Sequence, residues 1–401
     1  MMYRIVRYFS HLLVVLLMLP AMSIASNNGN TEVRSDLPPL QIEPTGIVKV
    51  LPKKYPETWF WVQDIAFGHM TSGKVALIDA AENTLSKQYK GSIDNSLLGN
   101  FVLGKIQNEV YMTETFYSRG VRGERTDVVT IWSKDTLEPI DEVVWSNTNR
   151  YMGLPQRNAL QLIDNEKLLL VFNLNPATSV TVIDIESRKI LNEIAIPGCA
   201  LIYPTGKRGF SSICSNGSLL STQLTSDGKI TSQKRTIPFF NPDTTPVFEH
   251  VALVDGFAYI PSFTGIMHKV NLKGDTASVV GSWSMVSNDE LRENWRPGGV
   301  VFIDSDEQGN IYVIMHPDGH EGSQQQGGTE IWVFNSKTGK RVSRYPVQSW
   351  AISLGVSRGK TPLLMLTNGE MQQEVYDAMS GKYIRTISAG LETPLVIIGS
   401  K

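Results

Sequence analysis

His316 and His320 stand four residues apart, with Asp318 and Glu321 beside them. On a helix that spacing would put two imidazoles on one face, where they can hold a metal ion. The stretch 316–328 is rich in Gly and Gln, however, so it reads as a long solvent-exposed hairpin, and no third ligand follows at a useful spacing. Gly355-Val-Ser357-Arg-Gly359 has the pattern of a nucleophile elbow, which needs a strand before the serine and a helix after it. Pro362 and the apolar run 363–366 follow instead, so an inter-strand turn is expected. The Gly-Lys-Thr inside the same stretch is one residue short of a phosphate loop. Asp304, Asp306 and Glu307 could gather a carboxylate site, but a polar turn closing a strand accounts for them. Arg119, Arg122 and Arg125 alternate with Glu124 and Asp127. Because the signs are mixed, a salt-bridged corner fits better than an anion site. Trp59-Phe60-Trp61, Phe67 and Trp295 read as core; their functional use would be a partner surface. None of these sets amounts to a catalytic constellation.

The elements that would position such residues are strands. Beyond residue 46 no amphipathic helix stands out. Short β-branched or aromatic runs, such as Ile331-Trp-Val-Phe334 and Ile311-Tyr-Val-Ile314, alternate with turn residues. One hairpin theme recurs: a strand, then Asp, Asn or Ser, then a turn. Its anchors fall near 79, 133, 184, 224, 271, 335 and 377. A period of about 50 residues with several strands in each unit suits a propeller blade. The expected fold is therefore all-β, a seven-bladed β-propeller over 47–401.

Composition narrows the function. The 401 residues carry 37 Lys and Arg against 39 Asp and Glu, a formal charge of −2 with no basic block. That balance argues against nucleic acid as a partner. Arg4 and Arg7 precede the apolar run 12–19, and Ser23-Ile24-Ala25 follows Pro20. This is the layout of a signal peptide over 1–25, with a flexible lead-in over 26–46. Export makes a disulfide permissible between Cys199 and Cys214, the two cysteines of the chain.

Several strings together resemble one family. They are Tyr117-Ser-Arg-Gly-Val-Arg-Gly-Glu-Arg-Thr-Asp127, Asp135-Thr-Leu137, Cys199 with Tyr203-Pro-Thr205, Cys214-Ser-Asn-Gly-Ser218, Pro261-Ser-Phe-Thr-Gly265 and Asn294-Trp-Arg-Pro-Gly-Gly299. From about residue 50 onward the chain resembles the heavy (alpha) subunit of the quinoprotein amine dehydrogenases, which oxidise methylamine or aromatic amines. The resemblance implies a seven-bladed propeller in a periplasmic complex of two heavy and two light chains. It implies a tryptophan tryptophylquinone cofactor on the light chain and none on this one. Primary amines would become aldehyde and ammonia, with electrons passing to a blue-copper protein such as azurin or amicyanin. A heavy-chain aromatic near the first blade helps gate substrate entry in that family, in a segment beginning Asp-x-Ala. Asp64-Ile-Ala66-Phe67-Gly68 is similar to it, which makes Phe67 the candidate substrate-access residue. Two rivals are a stand-alone exported propeller that binds a ligand or protein, and a propeller enzyme with its own His or acidic cluster at the axis.

Overall fold

Apolar β-branched and aromatic runs prefer the pleated, packed environment of a sheet, and they dominate the chain between its turn residues. The computed structural model describes residues 50–145 and 154–400. The signal peptide expected over 1–25 and the lead-in over 26–46 lie outside the described residues.

The first sheet contains β1 (Trp59–Asp64), β2 (Gly73–Asp79) and β3 (Tyr89–Asn95). The second is β4 (Phe101–Leu103), β5 (Glu109–Tyr117), β6 (Arg125–Ser133) and β7 (Pro139–Val144). The third is β8 (Leu160–Ile163), β9 (Leu168–Asn173), β10 (Ser179–Asp184) and β11 (Lys189–Ala195). The fourth is β12 (Cys199–Pro204), β13 (Gly209–Cys214), β14 (Leu219–Leu224) and β15 (Ile230–Arg235). The fifth is β16 (Ala252–Val254), β17 (Phe257–Pro261), β18 (Ile266–Asn271) and β19 (Ser278–Ser284). A longer sheet follows: β20 (Arg296–Pro297), β21 (Ile303–Ser305), β22 (Asn310–His316), β23 (Gly328–Asn335), β24 (Arg341–Val356), β25 (Leu363–Asn368), β26 (Gln373–Asp377) and β27 (Tyr383–Ile387). β28 (Pro394–Gly399) returns to pair with β1, so strands from both ends of the described chain close the first sheet.

This is an all-β propeller, but the expected seven separate blades are not found. Among the described residues five sheets are four-stranded blades, and the sixth is one eight-stranded sheet. All seven hairpin anchors do close strands, yet Asn335 and Asp377 belong to the same sheet. The cause is β24. Its 16 residues pair with β23 along the first part and with β25 along the last. No Gly, Asn or Asp interrupts it before Gly355, so no turn residue splits the sheet.

Burial sets the layering. β2, β9, β22 and β25 are almost wholly buried, whereas β7, β15 and β19 are mostly exposed and form outer edges. Middle strands packed on both faces need near-continuous apolar sequence, which they have. The recurring turns work as their chemistry requires. Asp184 Oδ1 accepts from the Ser187 N–H at 2.7 Å, Asn335 Oδ1 from the Thr338 N–H at 3.0 Å and Asp377 Oδ1 from the Ser380 N–H at 2.8 Å. Gly339 and Gly381 then take the left-handed position, each at φ 70°.

Candidate functional site

β1 ends at Asp64, which is 2% exposed. A buried carboxylate must find donors, and Asp64 finds backbone ones. Its Oδ1 accepts from the N–H of Ala66 at 3.1 Å and of Thr393 at 2.8 Å, and its Oδ2 from the N–H of Glu392 at 2.9 Å. Ala66 adopts the left-handed conformation, φ 45°. That reverses the chain into a 3-10 turn over Phe67–Ser72. The Phe67 N–H donates to Thr393 Oγ1 at 3.2 Å, while its ring stays 50% exposed. His69 Nε2 meets Glu392 Oε1 at 2.7 Å, and this hydrogen bond raises the imidazole pKa above its usual value. Phe67 is thus an exposed aromatic on a loop held at both flanks.

The connections 117–125 and 316–328 leave their sheets at the same end as Phe67. In the first, Arg125 Nη2 reaches Asp127 Oδ2 at 3.0 Å, and Asp127 is fully buried. The mixed-charge corner therefore exists at Arg125 and Asp127, while Arg119, Arg122 and Glu124 are exposed. The second is the expected largely exposed hairpin, joining β22 to β23, but it is anchored by buried His316, Ser323, Gly327 and Gly328. His316 is 2% exposed, closes β22 and has Nε2 at 2.9 Å from Ser323 Oγ. His320 Nδ1 lies 3.0 Å from the Asp318 carbonyl oxygen. Among the described residues no group of three or more His, Cys, Asp or Glu could hold a metal ion. The glycines have a steric reason: a Cβ on Gly327 would lie 2.0 Å from the Ala351 carbonyl oxygen.

Ser357 is no nucleophile. It is 1% exposed, and its Oγ accepts from the Leu363 N–H at 2.9 Å. Trp59, Phe60 and Trp61 are core, and Trp295 lies 5.1 Å from Trp332 between ring centroids with Arg344 over its face. Cys199 and Cys214 face each other across β12 and β13 and form the expected disulfide. Arg235 Nη1 lies 3.3 and 3.0 Å from the two sulfurs.

The axis holds what the sequence reading missed. Arg157 precedes β8, and its guanidinium donates to the carbonyl oxygens of Leu354, at 3.0 Å, and Ile397. Its Nη1 lies 3.4 Å from Asp304 Oδ1, which also accepts from Arg358 Nη2 at 3.1 Å. Asp304 is therefore an axial ion within β21, not part of a polar turn. Burial opposes its charge, but Arg358 and Arg157 outweigh that and lower its pKa. Asp306 does close the strand, accepting from Asn310 and Tyr312, and Glu307 is exposed. At the Phe67 end a cavity of about 190 Å³ is lined by Gln156, Glu249, His250 and Gln324, among others. Glu249 is exposed at the cavity mouth, and the partial desolvation of its carboxyl there raises its pKa. Burial, with Arg157 nearby, pushes His250 down to about 3. The signal for these residues was position: Arg157 and His250 sit just before the short strands β8 and β16. One sequence does not reveal which strands line an axis.

The family described as methylamine dehydrogenase heavy chain (MADH) matches residues 58–400. The chain is 26% identical over 313 residues to the methylamine dehydrogenase heavy chain of Methylorubrum extorquens, covering 77% of this chain and 76% of that one. It is 25% identical over 312 residues to the heavy chain of Paracoccus versutus, covering 77% and 72%. Among solved structures, a candidate 6-phosphogluconolactonase from Bacteroides fragilis superposes with a TM-score of 0.58 at 10% identity, over 88% of this chain and 99% of that one. That likeness concerns the fold alone. With the family match running from β1 to the end of β28, the chain belongs to the methylamine dehydrogenase heavy chain family.

Proposed function

We propose that this chain is the heavy subunit of a periplasmic amine dehydrogenase, paired two-and-two with a light chain that carries tryptophan tryptophylquinone. The quinone supplies the electron sink for oxidising a primary amine to aldehyde and ammonia. The electrons then pass to a blue-copper protein of the azurin or amicyanin type. The family match over 58–400 carries this reading. In it, this chain scaffolds the light chain and shapes substrate access.

Phe67 is the access residue in this reading. A half-exposed ring on a fixed turn presents an apolar wall of constant shape, and a wall discriminates by bulk. Asp64 is the positioning residue, because its three backbone hydrogen bonds tie the turn to 392–393. His69 and Glu392 form a polar pair that ties the same 3-10 turn to the 392–393 segment.

Purification from the native periplasm tests the proposal. A second, smaller chain with a visible quinone absorption and amine-dependent reduction of a blue-copper protein is the expected result. A chain that purifies alone and colourless would favour the stand-alone binding propeller.

A further inference from the structure

The end of the sheets opposite Phe67 holds two adjoining cavities. Phe60 pairs with Gly399 there, whereas Asp64 pairs with Pro394 at the Phe67 end. The larger cavity has about 590 Å³ and the smaller about 250 Å³. Lys105, Lys134, Arg358, Leu253 and Ser400 line both.

Lys134 is the anomaly. It is 8% exposed, yet among the described residues no carboxylate lies within 4.0 Å of its ammonium. Nζ has the Gly104 carbonyl oxygen at 3.4 Å and the Tyr55 ring centroid at 5.2 Å. An ammonium carries three donors, and buried charges are normally paired. Burial lowers its pKa from the ordinary lysine value, in keeping with a cation held short of partners.

The nearby carboxylates are engaged elsewhere. Glu166 accepts from the backbone N–H groups of Lys105, Ile106 and Gln107 at 2.7, 2.7 and 3.3 Å. Asp135 accepts from Asn108 Nδ2 at 2.8 Å. Asp306 accepts from Asn310 and Tyr312, and Asp255 and Glu307 sit exposed at the rim. Lys53, Lys54 and Lys105 are exposed around the same mouth. Five cations against three carboxylates line the larger cavity.

We propose that these cavities form a binding site for a small oxyanion with two negative charges, a phosphate or a dicarboxylate. Lys134 receives one oxygen, Lys105 flanks it, and Arg358, whose guanidinium is already held by Asp304 at 3.1 Å, lines the wall. The depth of Lys134 selects a small anion over an acidic peptide, because only a ligand inside the cavity reaches Nζ. The site lies at the other end of the sheets from Phe67 and does not depend on the amine dehydrogenase reading.

The test uses the full chain as purified, with whatever partner accompanies it. Inorganic phosphate, succinate and chloride are titrated at matched low ionic strength. The thermal midpoint is followed for all three, and the ³¹P line width for phosphate. A site makes the midpoint rise with phosphate or succinate, by mass action, well beyond the chloride response. Lys134→Gln should weaken the apparent affinity about tenfold, the scale of one charge-assisted hydrogen bond. The exposed Lys105→Gln should weaken it without moving the unliganded midpoint, which covers the case that Lys134→Gln folds poorly. Response to phosphate alone or to succinate alone assigns the anion class and supports the site. Equal responses to all three salts overturn it. So do an undiminished response in Lys105→Gln and Lys134→Gln, or binding of polyglutamate without either small anion.

Discussion

Phe67 is half exposed because its neighbours leave it no other place: Ala66 turns left-handed, and Asp64 locks the turn to 392–393. Replacing Phe67 by Ala is therefore expected to cost little stability, about 1 kcal/mol or less for a ring only half removed from water. It should reorder preference among amines of different bulk. A substrate panel beside a thermal melt checks both; a large fall in melting temperature with unchanged ranking would place the ring in the core. His250 is a different kind of residue. Its pKa is pushed down to about 3 in the folded chain, while an unfolded histidine titrates near about 6.5. Between those values the unfolded chain binds the extra proton, so acid weakens the fold. The loss approaches about 1.4 kcal/mol per pH unit for this one group. Glu249, whose pKa is raised, works in the opposite sense, but it is exposed and solvent screening makes its contribution small. Urea unfolding between pH 7 and pH 4 should show stability falling with acid, and His250→Gln should flatten the slope. Neither His250 nor Arg157 was legible in the sequence, since what perturbs them is an axis assembled from several distant strands.

At the scale of elements, the hairpins were the legible part. Asp, Asn and Gly announce a turn through local hydrogen bonds, and each anchor closes a strand. What joins one hairpin to the next was not legible. β24 carries Pro346 and Trp350 but no turn signal where a blade boundary was expected, so the sheet continues. The loop 316–328 is exposed over most of its length as its Gly and Gln suggest, but the sequence did not show that Gly327 is there because Ala351 approaches it closely. The β12–β13 hairpin owes part of its stability to Cys199–Cys214. Opening a loop of about 15 residues should cost about 3 kcal/mol in the chain-entropy account. Thiol labelling of the unfolded, unreduced protein should find no free thiol, and reduction should lower the melting temperature. Two labelled cysteines without prior reduction would contradict the bond.

At the scale of the molecule, the sheets meet at Arg157 and Asp304. Arg157→Met removes donors to Leu354 and Ile397 and leaves Asp304 with Arg358 as its one remaining ion-pair partner among the described residues, beside the Val356 N–H. Breaking a buried pair in this way costs about 3 kcal/mol or more, and the urea midpoint should fall accordingly. An unchanged midpoint would mean that the sheets hold together without the axial charges. The closing of the first sheet has a further consequence. β28 is the most downstream of the described strands, and its partner β1 is the first. As the chain is delivered from its N-terminal end, the clasp therefore arrives only after every other described strand. Until then β1 shows an apolar, unpaired edge to the surroundings, the kind of edge that recruits wrong partners. The geometry thus sets a clock on assembly: a nearly finished chain is still an open one, and its safety arrives in a single late step.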